Sequence, residues 1–310
     1  MNKKFYLPVL ALILTTGVAC EQKRSGGIEE ANLDRSVSPS TDFYQFACGG
    51  WMKAHPLTDE YGRFGSFDLL AENNRQQIKG LIEELAAKKS DAGNVACKIG
   101  DLYNMAMDSA ALNAGGYIPI QAQLDKIAAV KDKKEFVKLI AEMTRQGLGA
   151  YFGVYISADD MNSSQNLLQT YQSGLGLGDR DYYLKGDEHN KEIRKKYEQH
   201  VVKMFQLAGF SEEAARKAAA RVMEIETRLA TASYEKIKLR DPYANYHKMS
   251  LEELKKEIPG IDWDVYFTTI GLPGLRELNV AQPEPLKEVA CILNRAGMDA
   301  QKAYLQWKVI

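Results

Sequence analysis

Histidine is scarce in this chain, with four in 310 residues, at positions 55, 189, 200 and 247. None is followed by a second histidine four residues later, so no helical turn presents the two imidazoles with an intervening glutamate on which one common class of zinc hydrolase depends. His189 and His200 lie about 16 Å apart along a helix axis at about 1.5 Å per residue, too far to grip one metal ion. Cysteine is equally sparse: Cys20, Cys48, Cys97 and Cys291 are spaced too irregularly for a zinc knuckle or a small disulfide framework. None of the last three has the C-x-x-C spacing or neighbouring histidine that would mark a reactive thiolate. There is no G-x-S-x-G elbow and no Walker loop. Gly174, Gly176 and Gly178 are spaced two apart but run into Asp179-Arg180-Asp181-Tyr182-Tyr183, which reads as a bend and not as a phosphate cradle. Neither charge sign is in excess, at 40 basic against 41 acidic residues, and the basic ones form no run, so no nucleic-acid partner is expected. Glu83-Glu84 and Glu252-Glu253 fall on predicted helix surfaces, where solvated charge is the default, and no catalytic carboxylate couple stands out.

Long hydrophobic runs are also missing, except at the start. Lys3 and Lys4 precede an apolar stretch from Phe5 to Thr16, then Gly17-Val18-Ala19 and Cys20. The run is too short for a comfortable permanent span and fits a signal peptide over residues 1–19. Small residues leading into a cysteine resemble a bacterial lipobox, which makes Cys20 the lipidation site and holds the protein to a membrane by acyl chains. Ordinary secretion with cleavage near Ala19 is the alternative. Residues 20–41 are polar and lack apolar periodicity, so they are expected to be a lipidated, flexible tether with folding from Asp42 onward. The expected location is the bacterial cell envelope, at the periplasm or cell surface.

Beyond the tether the chain reads as mainly α. Phe67, Leu70, Ala71, Asn74, Ile78, Leu81 and Leu85 recur at three- and four-residue steps and predict a helix from Ser66 to about Lys88 with one apolar face. Helices are also expected over 95–107, running on to a stop at Gly115-Gly116, and over 119–129, 133–146 and 188–207. A further helix is expected from a Ser211 cap, with Ala218, Val222, Ile225 and Leu229 buried. Tyr151 to Ile156 and Asn166 to Gln172 are rich in strand-forming residues and predict one small β-hairpin, the only sheet expected. The last helix, from Ala300, reaches Ile310 without a stop signal, which suggests a polypeptide cut short.

One stretch is unusual. Asp42-Phe43-Tyr44-Gln45-Phe46-Ala47-Cys48-Gly49-Gly50-Trp51 crowds four aromatics and a glycine pair into ten residues. Gly49-Gly50 suggests a tight turn, and Phe43, Phe46 and Trp51 call for burial. The string resembles a motif of the neprilysin and endothelin-converting-enzyme type zinc metalloendopeptidases. Arg63-Phe64-Gly65-Ser66-Phe67-Asp68, Leu102-Tyr103, Leu175 to Tyr183, Arg240-Asp241-Pro242, Asp262-Trp263 and Tyr304 to Trp307 resemble further landmarks of that family, in order.

The resemblance implies a multi-helix lid region over residues 42–310, truncated at its C-terminal end and lacking the thermolysin-like catalytic domain. In complete relatives such a lid encloses a cavity where a zinc-bound water attacks internal bonds of oligopeptides. Zinc, its ligands and the general base then belong to a missing catalytic half, supplied in cis or in trans, so this chain alone is expected to be inactive. By the same resemblance Arg63 binds the substrate's C-terminal carboxylate, a task suited to a planar, always-charged guanidinium. Many relatives carry another arginine eight positions on, where this chain has Ala71. Arg240-Asp241 reads as a structural ion pair or cap. The alternative function is a non-catalytic envelope lipoprotein that acts as a peptide-binding or interaction module.

Overall fold

The computed structural model of the chain describes residues 27–58, 60–88 and 93–310. They fall into two compact units, divided between Met107 and Asp108. Residues 1–19 and Cys20 lie outside the described residues.

In the first unit a 3-10 turn, Glu30–Asn32, precedes three helices: α1 (Phe43–Ala54), α2 (Ser66–Ala87) and α3 (Val95–Met107). Asp42 caps α1 by accepting from Gln45 N at 2.9 Å. Gly49 and Gly50 lie inside α1 and make no turn. Their lack of side chains is required by the segment ahead of the helix: a Cβ on Gly50 would stand 2.2 Å from the Ala31 carbonyl, and one on Gly49 2.7 Å from Asp34 Cβ. Asp34 is buried, accepting from Gln45 Nε2 at 3.1 Å and Lys53 Nζ at 2.9 Å while its own amide donates to Phe46 O at 2.8 Å. Packed structure therefore begins near Glu30, ahead of the Asp42 boundary expected for the tether, because an acidic side chain in that polar stretch finds its partners on α1.

α2 and α3 pack side by side at Gly100, where a Cβ would lie 3.0 Å from Ala86 Cα. The expected apolar face of α2 exists but is not covered. Phe67 is 87% exposed, and Leu70, Ile78 and Leu81 are exposed too, as is Phe43 on α1, which was expected to be buried. Among the described residues of this unit the only buried ones are Asp34, Gly49 and Gly100, so it encloses no large apolar side chain.

The second unit has a full core. It runs α4 (Ser109–Gly115), α5 (Ile118–Ala129), α6 (Lys133–Arg145), β1 (Phe152–Asp159), β2 (Asn162–Gln172), α7 (Asp181–Leu184), α8 (Glu188–Leu207), α9 (Glu212–Ala232) and α10 (Lys236–Leu239). It continues β3 (Lys248–Ser250), α11 (Leu251–Glu257), α12 (Trp263–Ile270), β4 (Glu277–Val280), α13 (Pro283–Arg295) and α14 (Met298–Val309). Short acceptor side chains start many of these helices: Asp108, Asp132, Asp187, Ser211, Ser250 and Asp262 each accept from a backbone amide of the first turn. The cap at Asp108 also explains why the helix expected to run to Gly115 is broken there.

The hairpin β1–β2 forms, in register Val154↔Thr170 and Ile156↔Leu168. It is only half of the sheet, whose order is β1-β2-β4-β3 with β4 parallel to β2 and antiparallel to β3. β3 and β4, at 3 and 4 residues, are too short to leave a periodic signal. One face of the sheet contributes Phe152, Leu168, Leu278 and Val280 to a core shared with α6, α12 and α13. There Trp263, Tyr266 and Phe267 pack against one another, and the Trp263 indole donates to Ile258 O at 2.9 Å. A second cluster lies between α8, α9 and α14. Ala215, Ala218 and Ala219 let the backbones approach, and Tyr197, Val201, Phe205 and Val222 fill the seam.

Candidate functional site

Arg63 sits in the loop between α1 and α2, and its support is built from the residues on either side. Phe64 is wedged between Trp51 (ring centroids 6.2 Å apart) and Tyr61 (4.9 Å, edge-on), while Trp51 stacks on His55 at 4.4 Å. Gly65 then starts α2: its amide donates to the Asp68 carboxylate at 2.8 Å and its carbonyl accepts from Leu69 N at 3.0 Å. This is one arm of a capping box, since glycine has no side chain to return the bond. The backbone on the C-terminal side of Arg63 is thus pinned by an aromatic wedge and a helix start.

The guanidinium itself is exposed and makes no hydrogen bond or ion pair with any described residue. Two carboxylates of the following helix, Asp68 and Glu72, are engaged elsewhere. Asp68 holds the helix start, and Glu72 accepts from the Tyr61 hydroxyl and from Arg75. The Tyr61 hydroxyl and Arg75 hold Glu72 below the usual carboxylate range, and Glu72 in turn pushes the Tyr61 phenol up. A positive charge on a fixed base, with Asp68 and Glu72 committed elsewhere, is suited to an incoming carboxylate. An open concavity of about 380 Å³ lies beside this loop, lined by Tyr44, Cys48, Trp51, Phe64 and Ser66. Another of about 450 Å³ runs along α2 over Phe67, Leu70, Ala71, Asn74 and Gln77. Ala71 leaves the second without a further cation.

The histidines are scattered. His55 lies on Trp51, His200 stands edge-on to Trp307 at 5.9 Å, His247 Nδ1 contacts Val280 O at 3.1 Å, and His189 is exposed on α8. Among the described residues no three His, Cys, Asp or Glu side chains are grouped to hold a metal. The donors among the described residues do not fit a zinc ion. Among the described residues no helix is long and apolar enough to cross a membrane.

Sequence reasoning missed Glu226. It sits in the middle of α9 with 0% exposure. Its carboxylate accepts from Tyr183 OH at 2.7 Å, Tyr197 OH at 2.9 Å, Gly176 N at 3.2 Å and Lys308 Nζ at 3.0 Å, and Trp307 Nε1 donates to the Tyr197 oxygen at 2.8 Å. Burial, and then the adjoining carboxylate, pushes both tyrosines well above the ordinary phenol range. With every lone pair engaged, the cluster is a structural knot that ties the Gly174–Gly178 bend, α7, α8, α9 and α14 together. A glutamate one position after a stripe residue was the only available signal. The Arg240-Asp241 pair is not an ion pair: Asp241 caps a turn by accepting from Tyr243 N at 2.9 Å and Ala244 N at 3.2 Å.

The sequence model of peptidase family M13 matches residues 39–310. Mouse endothelin-converting enzyme 1 is 32% identical over 292 residues, which cover 90% of this chain and 37% of that protein. Human membrane metallo-endopeptidase-like 1 is 29% identical over 259 residues, 77% of this chain and 33% of that protein. Among solved structures, zinc metalloprotease Zmp1 of Mycobacterium tuberculosis in complex with an inhibitor superposes with a TM-score of 0.83 at 29% identity, covering 91% of this chain and 43% of that one. The chain belongs to peptidase family M13, the neprilysin and endothelin-converting-enzyme type of metallopeptidase, and spans between about a third and about two fifths of the length of these relatives.

Proposed function

We propose that this chain is the N-terminal part of an exported zinc metalloendopeptidase that hydrolyses oligopeptides. Its helices enclose the substrate cavity, and Arg63 anchors the C-terminal carboxylate of the peptide. Zinc, its ligands and the general base come from a catalytic half in cis or in trans, and the chain alone does not cleave peptides. Cys20 carries the lipid that holds the enzyme at the cell envelope.

The observation that carries this reading is the first unit, which has a long amphipathic helix and an aromatic-rich one yet buries no large apolar side chain among its described residues. Burying a side chain of the size of Phe or Leu contributes about 1.5–3 kcal/mol, so a face bearing Phe67, Leu70, Ile78 and Leu81 is suited to being covered by more protein. Family membership supports the peptidase as that protein.

The test begins with the coding sequence after Ile310. The reading requires a His-Glu-x-x-His segment there or in a neighbouring gene, and hydrolysis of a reporter peptide only when that part is combined with this chain and zinc. Tight, zinc-independent peptide binding by the chain alone, with no such segment encoded, would favour the peptide-binding lipoprotein instead.

A further inference from the structure

Strand β1 is the outer member of the sheet, paired with β2 on one side only. The direction of its free backbone groups follows from β2. Thr170 O accepts from Ala281 N at 3.0 Å and Gln172 N donates to the Gln282 side chain at 2.8 Å, so Thr170 and Gln172 turn their backbone groups away from β1. Such groups alternate sides along a strand, and those of Gln169 and Tyr171 therefore meet Tyr155 and Gly153, their register partners. Val154 and Ile156 are left pointing N–H and C=O outward, and among the described residues neither finds a backbone partner outside the β1–β2 ladder.

Open edges are normally blunted by lysine, proline or a bulge, because unpaired backbone groups invite another strand. From Phe152 to Ala158 this strand has no charge and no proline, and its register shifts only at Ala158/Asp159. Tyr155 is 52% exposed and Ile156 60%, on opposite faces, so the outer half of the hairpin stands clear on both sides. The edge is nonetheless held in place. At its far end buried Asp159 accepts from Tyr246 OH at 2.9 Å and Lys248 Nζ at 3.2 Å. Nearer the core the Tyr171 ring lies across Gly153, where a Cβ would stand 2.0 Å from its Cζ, and meets Tyr155 edge-on at 5.6 Å.

We propose that two copies of this chain join edge to edge through β1, antiparallel, about a two-fold axis at Tyr155. Val154 of one protomer exchanges both N–H···O bonds with the partner's Ile156, and the same exchange recurs on the other side of the axis. The two Tyr155 residues then face each other as a non-hydrogen-bonded pair, with Cα atoms about 4.5 Å apart, and the two Tyr171 rings flank them on the same face. A second copy is the occupant because the outward groups of Val154 and Ile156 match their own antiparallel repeat. The uncharged centre of the strand also sets no like charges opposite each other. The edge is already ordered, so pairing fixes little further chain. The pairing needs no catalytic half and stands apart from the function proposed above.

The experiment uses the full chain in mild detergent, with self-association followed by analytical ultracentrifugation. Wild type is expected to dimerise as its concentration rises. Tyr155→Lys sets two ammonium groups opposite each other on the axis and is expected to weaken the dimer roughly tenfold or more, as is Tyr155→Glu with two carboxylates. Mixing the two variants is expected to restore a dimer with one of each, which requires the strands to meet at this residue. Neither variant is expected to lower the thermal midpoint of the monomer, since the side chain lies half in water. In wild type, amide exchange at Val154 and Ile156 is expected to slow with concentration, while Gly153, Tyr155 and Ser157, already turned to β2, do not change. A wild type that stays monomeric, or a dimer that both variants leave intact, overturns the inference. A dimer weakened by both variants and not restored by mixing overturns the pairing at Tyr155. Slowing at Val154 and Ile156 that needs an added extended peptide, and not a second copy, assigns the edge to peptides and overturns it too.

Discussion

Glu226→Gln is the most informative single change in this protein. The wild-type carboxylate is fully buried and satisfies four donors, one of them the ammonium of Lys308. The amide keeps the shape but replaces one acceptor oxygen with a donor. The Gly176 amide and Lys308 share one carboxylate oxygen and the two phenols share the other, so the substituted side chain keeps its oxygen on the first pair and turns its NH2 to the phenols, whose hydroxyls must rotate away to accept. With Lys308 only 13% exposed, its charge is left without a partner near the protein interior. Losing the negative partner of Lys308 and both phenol-to-carboxylate hydrogen bonds gives a destabilisation of about 2–3 kcal/mol, and full truncation in Glu226→Ala about 3–5 kcal/mol. Lys308→Met alone leaves the carboxylate three neutral donors. In combination with Glu226→Gln it removes the stranded charge, so the pair is expected to be less than additive by about 1–3 kcal/mol. The assay is urea denaturation of the four proteins of this cycle, followed by the fluorescence of Trp307, whose indole donates into the cluster at 2.8 Å. A Glu226→Gln protein within about 0.5 kcal/mol of wild type, the range of ordinary surface changes, would refute the reasoning.

Arg63→Ala is expected to raise KM for a peptide with a free C-terminus at least tenfold in the reconstituted enzyme, and to leave an amidated peptide unaffected. Equal losses on both would remove Arg63 as the anchor. Gly50→Ala drives a methyl into the Ala31 carbonyl, so faster amide exchange and proteolysis are expected in α1 while the second unit is unchanged. The partners of Asp34, with Ser36 first and then Lys53 and Gln45, hold its carboxyl well below the usual range. Its contribution is therefore complete above the unfolded value of about 4 and lost as pH falls from there through the folded value. Exchange protection of α1 is expected to fall with acid in wild type and to be low and nearly pH-independent over that window in Asp34→Asn. Tyr304→Phe deprives the Ala150 and Gly174 carbonyls of a shared donor at 2.9 and 2.8 Å and is expected to destabilise by about 1–3 kcal/mol in the same urea assay.

The long helices were legible because their signals are local. Ser211 caps α9 as its hydroxyl and the following glutamates suggested, and Glu188–Leu207 runs over the range its pattern implied. The sheet was half legible: the hairpin's aromatic and branched residues show in the sequence, whereas β3 and β4 are defined only by the partners they meet across the fold. The glycine pair of α1 was noticed for the right property and given the wrong geometry. Absence of a Cβ serves a turn or a close crossing equally well, and only the position of Ala31 and Asp34 decides between them. The Glu226 cluster was hidden because its members come from residues 176 to 308, and no single window contains more than two of them. That Arg63 pairs with no described residue was likewise invisible, since it depends on what Asp68 and Glu72 are already doing.

The parallel pairing of β2 with β4 has a temporal consequence. Leu168 meets Leu278, so the central ladder cannot close until the chain has grown past residue 280. Ordering of such distant partners is slow compared with the growth of a helix. The interior of this unit would thus set only after nearly the whole of the region had been synthesised.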